Sequence, residues 1–239
     1  MQKFLIAIAC SVLMNGGLGI QCQAALVAYD EYSQYQAALG SATESVINFD
    51  TVGSGVVLGS DSGVTFSAVD SNFSQIDLVV YETDPVFNAI FNQNPTDTIS
   101  GPNYVGRELL SLGVGNFSRT FENEIITLTF DSPRSAVGLF VIAPNNSGVS
   151  LTANGQSVNA DFEDPIVLAG ANQAFFIGLI DDSGANSISS ATLQGGSGGM
   201  GYHFDDLTTS VTAIPEPNSL LAFGVLIVGV STRRRRLVA

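Results

Sequence analysis

The chain has 239 residues, 45% of them apolar, with 15 Phe, two Cys, no Trp and a formal net charge of −14. That apolar content excludes a solvated, disordered chain. Between 25 and 213 only Arg107, Arg119 and Arg134 are basic. The same stretch holds 21 of the 22 acidic residues and so carries a net charge of −18, which excludes a phosphate-backbone partner such as nucleic acid.

Residues 1–24 read as a removable secretory signal. Lys3 gives a positive start, Phe4 to Met14 is an almost unbroken apolar run, and Cys22-Gln23-Ala24 offers small residues where a signal peptidase reads them. Cleavage is expected between Ala24 and Ala25. The other reading, a membrane anchor, asks for ~20 apolar residues, and this run is shorter. Cys10 and Cys22 both lie inside the signal, so an exported chain without it has no disulfide and no thiolate site. The bulky Gln21 before Cys22 speaks against a lipoprotein cysteine.

The folded region is expected to occupy 25–213. A short helix is read from Tyr29 to Leu39. Asp30 and Glu31 stand in its first turn, Tyr32, Tyr35 and Leu39 form one apolar face, and Gly40 is a stop. Beyond it the apolar period changes to two. Ile47 and Phe49 alternate with Asn48 and Asp50, Val64, Phe66 and Ala68 with Thr65 and Ser67, and Ile126, Leu128 and Phe130 with Thr127 and Thr129. Ile76 to Tyr81 is rich in strand formers. Ala136 to Ile142 and Ala174 to Ile180 are apolar runs suited to strands covered on both faces. Val149 to Ala160 is a hairpin about Asn154-Gly155, because Asn-Gly supplies the positive φ angles of a type I′ turn. Ser187 to Leu193 and Tyr202 to Val211 complete about ten strands. The pattern gives an all-β fold, a β-sandwich of jelly-roll type with a short N-terminal helix. Thr83 to Gly106, with three prolines, reads as a long surface loop. The glycine-rich 195–201 reads as a turn, since no Lys follows to make a phosphate loop.

Residues 214–239 have a different organisation. Pro215-Glu216-Pro217 holds the chain extended. Eleven uncharged residues, Leu220 to Val230, follow, and then Arg233, Arg234, Arg235 and Arg236. The apolar stretch barely crosses the ~30 Å hydrocarbon layer at ~1.5 Å per residue. The arginines hold their end on the cytoplasmic side. A plain tail anchor is the alternative, and it leaves Pro-Glu-Pro unexplained.

This order of Pro-Glu-Pro, short apolar helix and Arg cluster resembles the PEP-CTERM sorting signal of Gram-negative bacteria, over roughly the last tenth of the chain. The resemblance implies exosortase as a partner, transient inner-membrane anchoring, cleavage near Pro215-Glu216-Pro217, and a final place at the cell surface or in extracellular matrix among exopolysaccharide. The middle also resembles a domain that accompanies such tails, on Ala37-Ala-Leu-Gly40, Ile47-Asn-Phe-Asp50, Gly63-Val-Thr-Phe66, Ile126-Thr-Leu-Thr-Phe130, Ala136-Val-Gly-Leu139 and Phe204-Asp-Asp-Leu207. That second resemblance implies a jelly-roll of carbohydrate-binding type with no known activity.

Asp205 and Asp206 are neighbours on one expected strand, so their side chains should point to opposite faces. An inward carboxylate needs a partner or a metal. Jelly-roll carbohydrate-binding modules imply a structural calcium between Asp50 and Asp205 or Asp206, its shell completed by carbonyls and waters. Zinc is disfavoured by a single histidine, His203, which reads as a strand residue. A Ser-His-Asp set would have to use that same histidine, and no Gly-x-Ser-x-Gly elbow occurs. Glu163-Asp164, Asp181-Asp182 and Asp205-Asp206 are candidate pairs for glycoside hydrolysis, which needs a fixed carboxyl separation. Tyr81, Phe87, Phe91 and Tyr104 are candidate sugar-stacking aromatics. The expected function is therefore a non-catalytic, exported surface or matrix protein that adheres to polysaccharide. The alternative is a secreted polysaccharide hydrolase using a carboxylate pair.

Overall fold

The computed structural model describes residues 25–83, 97–107, 121, 124–142, 148–160, 165–168, 173–195 and 202–212. The expected signal, 1–24, and sorting tail, 214–239, lie outside the described residues. So do Phe87, Phe91, Glu163, Asp164 and residues 196–201 of the glycine-rich loop.

In chain order the elements are β1 (Leu26–Tyr29), α1 (Tyr32–Leu39), β2 (Thr43–Ile47), β3 (Ser60–Asp61), β4 (Val64–Val69), β5 (Gln75–Ile76), β6 (Leu78–Glu82), β7 (Asn103–Arg107), β8 (Ile125–Arg134), β9 (Ala136–Ile142), β10 (Val149–Ala153), β11 (Gln156–Asn159), β12 (Ile166–Val167), β13 (Gln173–Asp181), β14 (Ile188–Gly195) and β15 (His203–Val211). They form two antiparallel sheets, an all-β sandwich. The first sheet runs β1-β13-β9-β15-β7-β6, with β12 on β13 and β2 on β15. The second runs β11-β10-β14-β8-β4-β3, with β5 on β4.

The core shows why β9 and β13 are apolar throughout. Val137, Leu139, Val141, Phe175, Ile177 and Leu179 face the second sheet and join Ile126, Leu128, Leu151 and Leu193 in one cluster. Their alternates turn outward and are buried as well. Ala136, Phe140, Phe176 and Ile180 lie with Tyr35 of α1, and Ile142 and Ala174 with Tyr81 and Tyr104. Each such side chain contributes ~1.5–3 kcal/mol by leaving water. In the second sheet β4 and β8 alternate buried and exposed positions, as a sheet covered on one face should.

Three expectations are corrected. The helix begins at Tyr32, because Leu26–Tyr29 is paired with Gly178–Asp181 as strand β1. Asp30 and Glu31 therefore precede the first turn. Tyr29 meets Tyr35 from this strand, at 6.0 Å between ring centroids. Finally, the Thr83–Gly106 segment ends in a strand: Asn103–Arg107 is β7, hydrogen-bonded between β15 and β6. The expected hairpin is present, with Asn154 at φ 48 and Gly155 at φ 78 and Ala153 opposite Gln156.

Ala25 and Thr212 both meet one turn, 181–187. The Asp182 N–H donates to the Ala25 carbonyl. The Asn186 side chain exchanges hydrogen bonds with Thr212, at 2.9 and 3.0 Å. The turn is organised by Asp181, whose carboxylate accepts from the N–H groups of Ser183 (3.0 Å) and Ser187 (3.1 Å) and from the Ser183 hydroxyl.

Candidate functional site

The first sheet forks along β15. Near its start Phe204 pairs with Val105 of β7, and further on Leu207 to Val211 pair with Ile47 to Thr43 of β2. On the other edge the register against β9 shifts. Asp205 faces Phe140 and Thr208 faces Gly138, so β15 carries one extra residue there. This is a β-bulge, and Asp206 sits in it at φ 46.

The bulge overturns the expectation that Asp205 and Asp206 point to opposite faces. Strict alternation needs an unbroken ladder, and the ladder is broken between them. Both carboxylates reach the same stretch of chain, 99–100. Asp205 Oδ2 accepts the Ile99 N–H at 3.2 Å and its Oδ1 accepts the Asp206 N–H at 2.8 Å. Asp206 Oδ1 accepts the Ser100 hydroxyl. From the end of β2, Asp50 Oδ1 accepts the Asn103 N–H at 3.2 Å. The Asp50 carboxylate lies against Gly101, at φ 57, in space that a Cβ would fill. The three acids named from sequence thus clasp 99–103 to the fork.

Burial drives the electrostatics. Desolvation, helped by the neighbouring Asp206 charge, raises the Asp205 carboxyl to about 8 against the relief of its peptide hydrogen bonds. Desolvation also raises Asp206, with the Ser100 hydroxyl opposing and Asp50 adding. Oxygen donors are the chemistry calcium selects. Among the described residues, however, no group of three or more His, Cys, Asp or Glu is disposed to hold a metal ion. In the described geometry Asp50, Asp205 and Asp206 act as hydrogen-bond acceptors for a loop.

Asn103 completes the clasp from β7. Its side-chain amide donates to the carbonyls of Phe49 (3.2 Å) and Val52 (3.0 Å), and it holds the turn in which the buried Phe49 adopts φ 57. Asn103→Ala is expected to cost about 2 kcal/mol, since two acceptors lose their donor away from water. The check is a lower urea midpoint with an unchanged slope.

The other sequence candidates are placed as follows. His203 is buried on β15 with its ring edge-on to Tyr104, 4.8 Å between centroids, and is a strand residue as expected. Tyr104 and Tyr81 are buried too, so the expectation that they stack on sugars is corrected. They pack in a buried cluster with Val79, Ile142, Leu168 and Ala174. Asp181 belongs to the turn described above. Burial pushes its carboxyl up, but hydrogen bonds from Ser183 and Ser187 outweigh this and hold it below the usual value. One exposed aromatic escaped the sequence reading: Phe73 is 79% exposed in the turn between β4 and β5. The turn formers Asp70-Ser71-Asn72 before it were the available signal.

No protein-family model matches the chain, and no curated protein matches it. Two solved structures are similar in part. One is the K1 cleaved adhesin domain of Lys-gingipain from Porphyromonas gingivalis W83, with 10% identity over 72% of this chain and 99% of that one, at a TM-score of 0.39. The other is the catalytic unit of a thermostable GH87 alpha-1,3-glucanase from Streptomyces thermodiastaticus strain HF3-3, with 16% identity over 66% of this chain and 29% of that one, at a TM-score of 0.29. Neither likeness is close enough to assign a fold or a function. Among the described residues no helix is long and apolar enough to cross a membrane.

Proposed function

We propose that the chain is an exported, non-catalytic envelope protein. Exosortase sorts and trims it at Pro215-Glu216-Pro217 after transient inner-membrane anchoring, and a jelly-roll sandwich then adheres to extracellular polysaccharide at the cell surface or in the matrix. The observation that carries this is the junction between domain and tail. Strand β15 ends at Val211, and Pro215-Glu216-Pro217, an uncharged apolar stretch and four arginines follow directly. A protease can thread a proline-held leash without unfolding the sandwich. The jelly-roll reading is supported by β8, β9 and β10 and again by β13, β14 and β15, which alternate between the two sheets in chain order. The non-catalytic reading is supported by Asp181, Asp205 and Asp206, whose carboxylates serve turns and loops within the domain.

Two tags test the sorting. With one tag inserted at Asn154-Gly155 and another after Ala239, the surface fraction is expected to keep the first and lose the second. Replacing Pro215, Glu216 and Pro217 by Ala should leave both tags in the inner membrane. Recovery of the C-terminal tag at the outer surface would overturn the reading. Release of reducing sugar by the purified protein, abolished by a single Asp or Glu change, would favour the hydrolase instead.

A further inference from the structure

Phe73 is out of place by two ordinary standards. Its side chain is 79% exposed, and its φ is 61, in the left-handed region that glycine and asparagine occupy without strain. A turn designed only to join β4 to β5 would carry Gly or Asn there. The conformation is imposed by its surroundings. The Asp70 carboxylate accepts the N–H groups of Asn72 (2.9 Å) and Ser74 (2.8 Å). The Asp70 N–H donates to the Ser74 carbonyl and the Phe73 N–H to the Asp70 carbonyl, both at 2.9 Å. The N–H of Ser74 above all holds the Asp70 carboxyl below its usual value, so the lock stays closed at neutral pH. The backbone that carries the ring is therefore held in place, and among the described residues the ring belongs to none of the buried clusters.

Its flanks narrow the choice of occupant. Ser71, Asn72, Ser74 and Gln75 are all exposed. They offer hydroxyls and amides on either side of a single apolar face, while the Asp70 carboxylate is turned to the N–H groups of the turn. A protein partner needs about 1,000 Å² or more of complementary surface, and a bilayer selects several apolar anchors with cations beside them. A sugar ring has the matching form, with a face of polarised C–H groups that the negative face of an aromatic attracts and a rim of hydroxyls. The net charge of −18 between 25 and 213 repels uronates and sulfates. The registers also set the direction. Val69, which leads into this turn, faces Ile125 at the start of β8, while Arg134 at its other end faces Ile188 beside the 181–187 turn. Phe73 thus lies at the end of the sandwich opposite Ala25 and Thr212.

We infer that Phe73, on its carboxylate-locked turn, is a stacking platform for the pyranose face of an uncharged polysaccharide. This rests on the polysaccharide-binding reading above and deepens it.

The test is affinity electrophoresis of the full chain in detergent, through gels containing dextran, hydroxyethyl cellulose, galactomannan or alginate. At least one neutral polymer should retard the protein, and alginate should not. Phe73→Gly and Phe73→Asn should weaken that retardation about tenfold or more while raising the melting temperature by about 2–4 °C, because the backbone strain is relieved. Phe73→Tyr should keep most of the retardation. Equal retardation of wild type and Phe73→Gly would overturn the platform and leave the polysaccharide reading standing. Retardation by alginate alone would do the same. Retardation by none of the four would overturn both.

Discussion

Gly178→Ala is expected to lower stability by about 3 kcal/mol, at the upper end of what one added methyl costs in a full core. Gly178 of β13 stands opposite Gly138 of β9, and the two leave a flat place on the outer face of the first sheet. The ring of Tyr35 lies on it. A Cβ at Gly178 would stand 2.7 Å from Tyr35 Cδ2 and 2.8 Å from Phe176 Cε1. Neither ring can yield. Tyr35 is held against Phe176 (4.9 Å between centroids) and Tyr29, and Phe176 against Phe140 (5.2 Å) and Tyr32. The helix must lift, which exposes the small cluster beneath it. Gly138→Ala should act alike, since its Cβ would meet Phe176 Cζ at 2.6 Å. Gly59→Ala, with open space around it, should stay within about 0.5 kcal/mol of wild type. Melting temperatures check the set, with a fall of about 6–12 °C expected for Gly178→Ala.

Stability is expected to fall as pH rises from about 4 to about 8, with the buried Asp205 as the main cause. Its carboxyl titrates near 3.8 in the unfolded chain and near 8 in the folded one. Over that interval the folded state binds the extra proton, so the contribution is complete below the lower value and lost as pH passes the upper one. At 1.36 kcal/mol per unit the loss is at most about 6 kcal/mol, and any loosening of 99–103 that admits water reduces it. Asp206 is shifted in the same direction and adds to the effect. Asp181 is shifted the other way. Its contribution is present above the unfolded value and disappears in stronger acid, so stability should be greatest near pH 4–5. Asp205→Asn keeps the acceptor for the Ile99 N–H and removes the titration. Its melting temperature should vary much less between pH 5 and 9 and should exceed that of wild type at pH 9. A wild-type curve that rises through this range would contradict the hydrogen-bonded account of the clasp. So would a large gain in melting temperature on adding calcium at pH 8, because calcium would hold the acids ionised.

The extent of what the sequence foretold follows from physical range. Strands β9 and β13 were legible because both their faces are buried, which leaves an unbroken apolar run. The 154–155 turn was legible because its geometry is a property of two adjacent residues. Strand β7 was not, since Asn103-Tyr-Val-Gly-Arg107 is short, follows Pro102 and owes its place to partners on β6 and β15. That Asp50 and Asp205 or Asp206 share a site was what the resemblance to jelly-roll modules implied; their common contact with 99–103 is a finding of the structure. The geometry was not legible, because the bulge puts a positive φ on Asp206 where no Gly or Asn announces it. Phe73 was missed for a related reason. Apolar side chains are normally assigned to the core, and the turn formers Asp70-Ser71-Asn72 were not weighed against that habit.

The meeting of Ala25 and Thr212 beside 181–187 has a mechanical consequence. A pull transmitted through Thr212 against a grip at the far end of the sandwich runs along β15, which has bonded neighbours on both edges. Its rungs to β9 and β2 then bear the load together, in shear, and do not peel open one after another. A protein tethered at one end and holding a polymer at the other resists drag best when force enters this way.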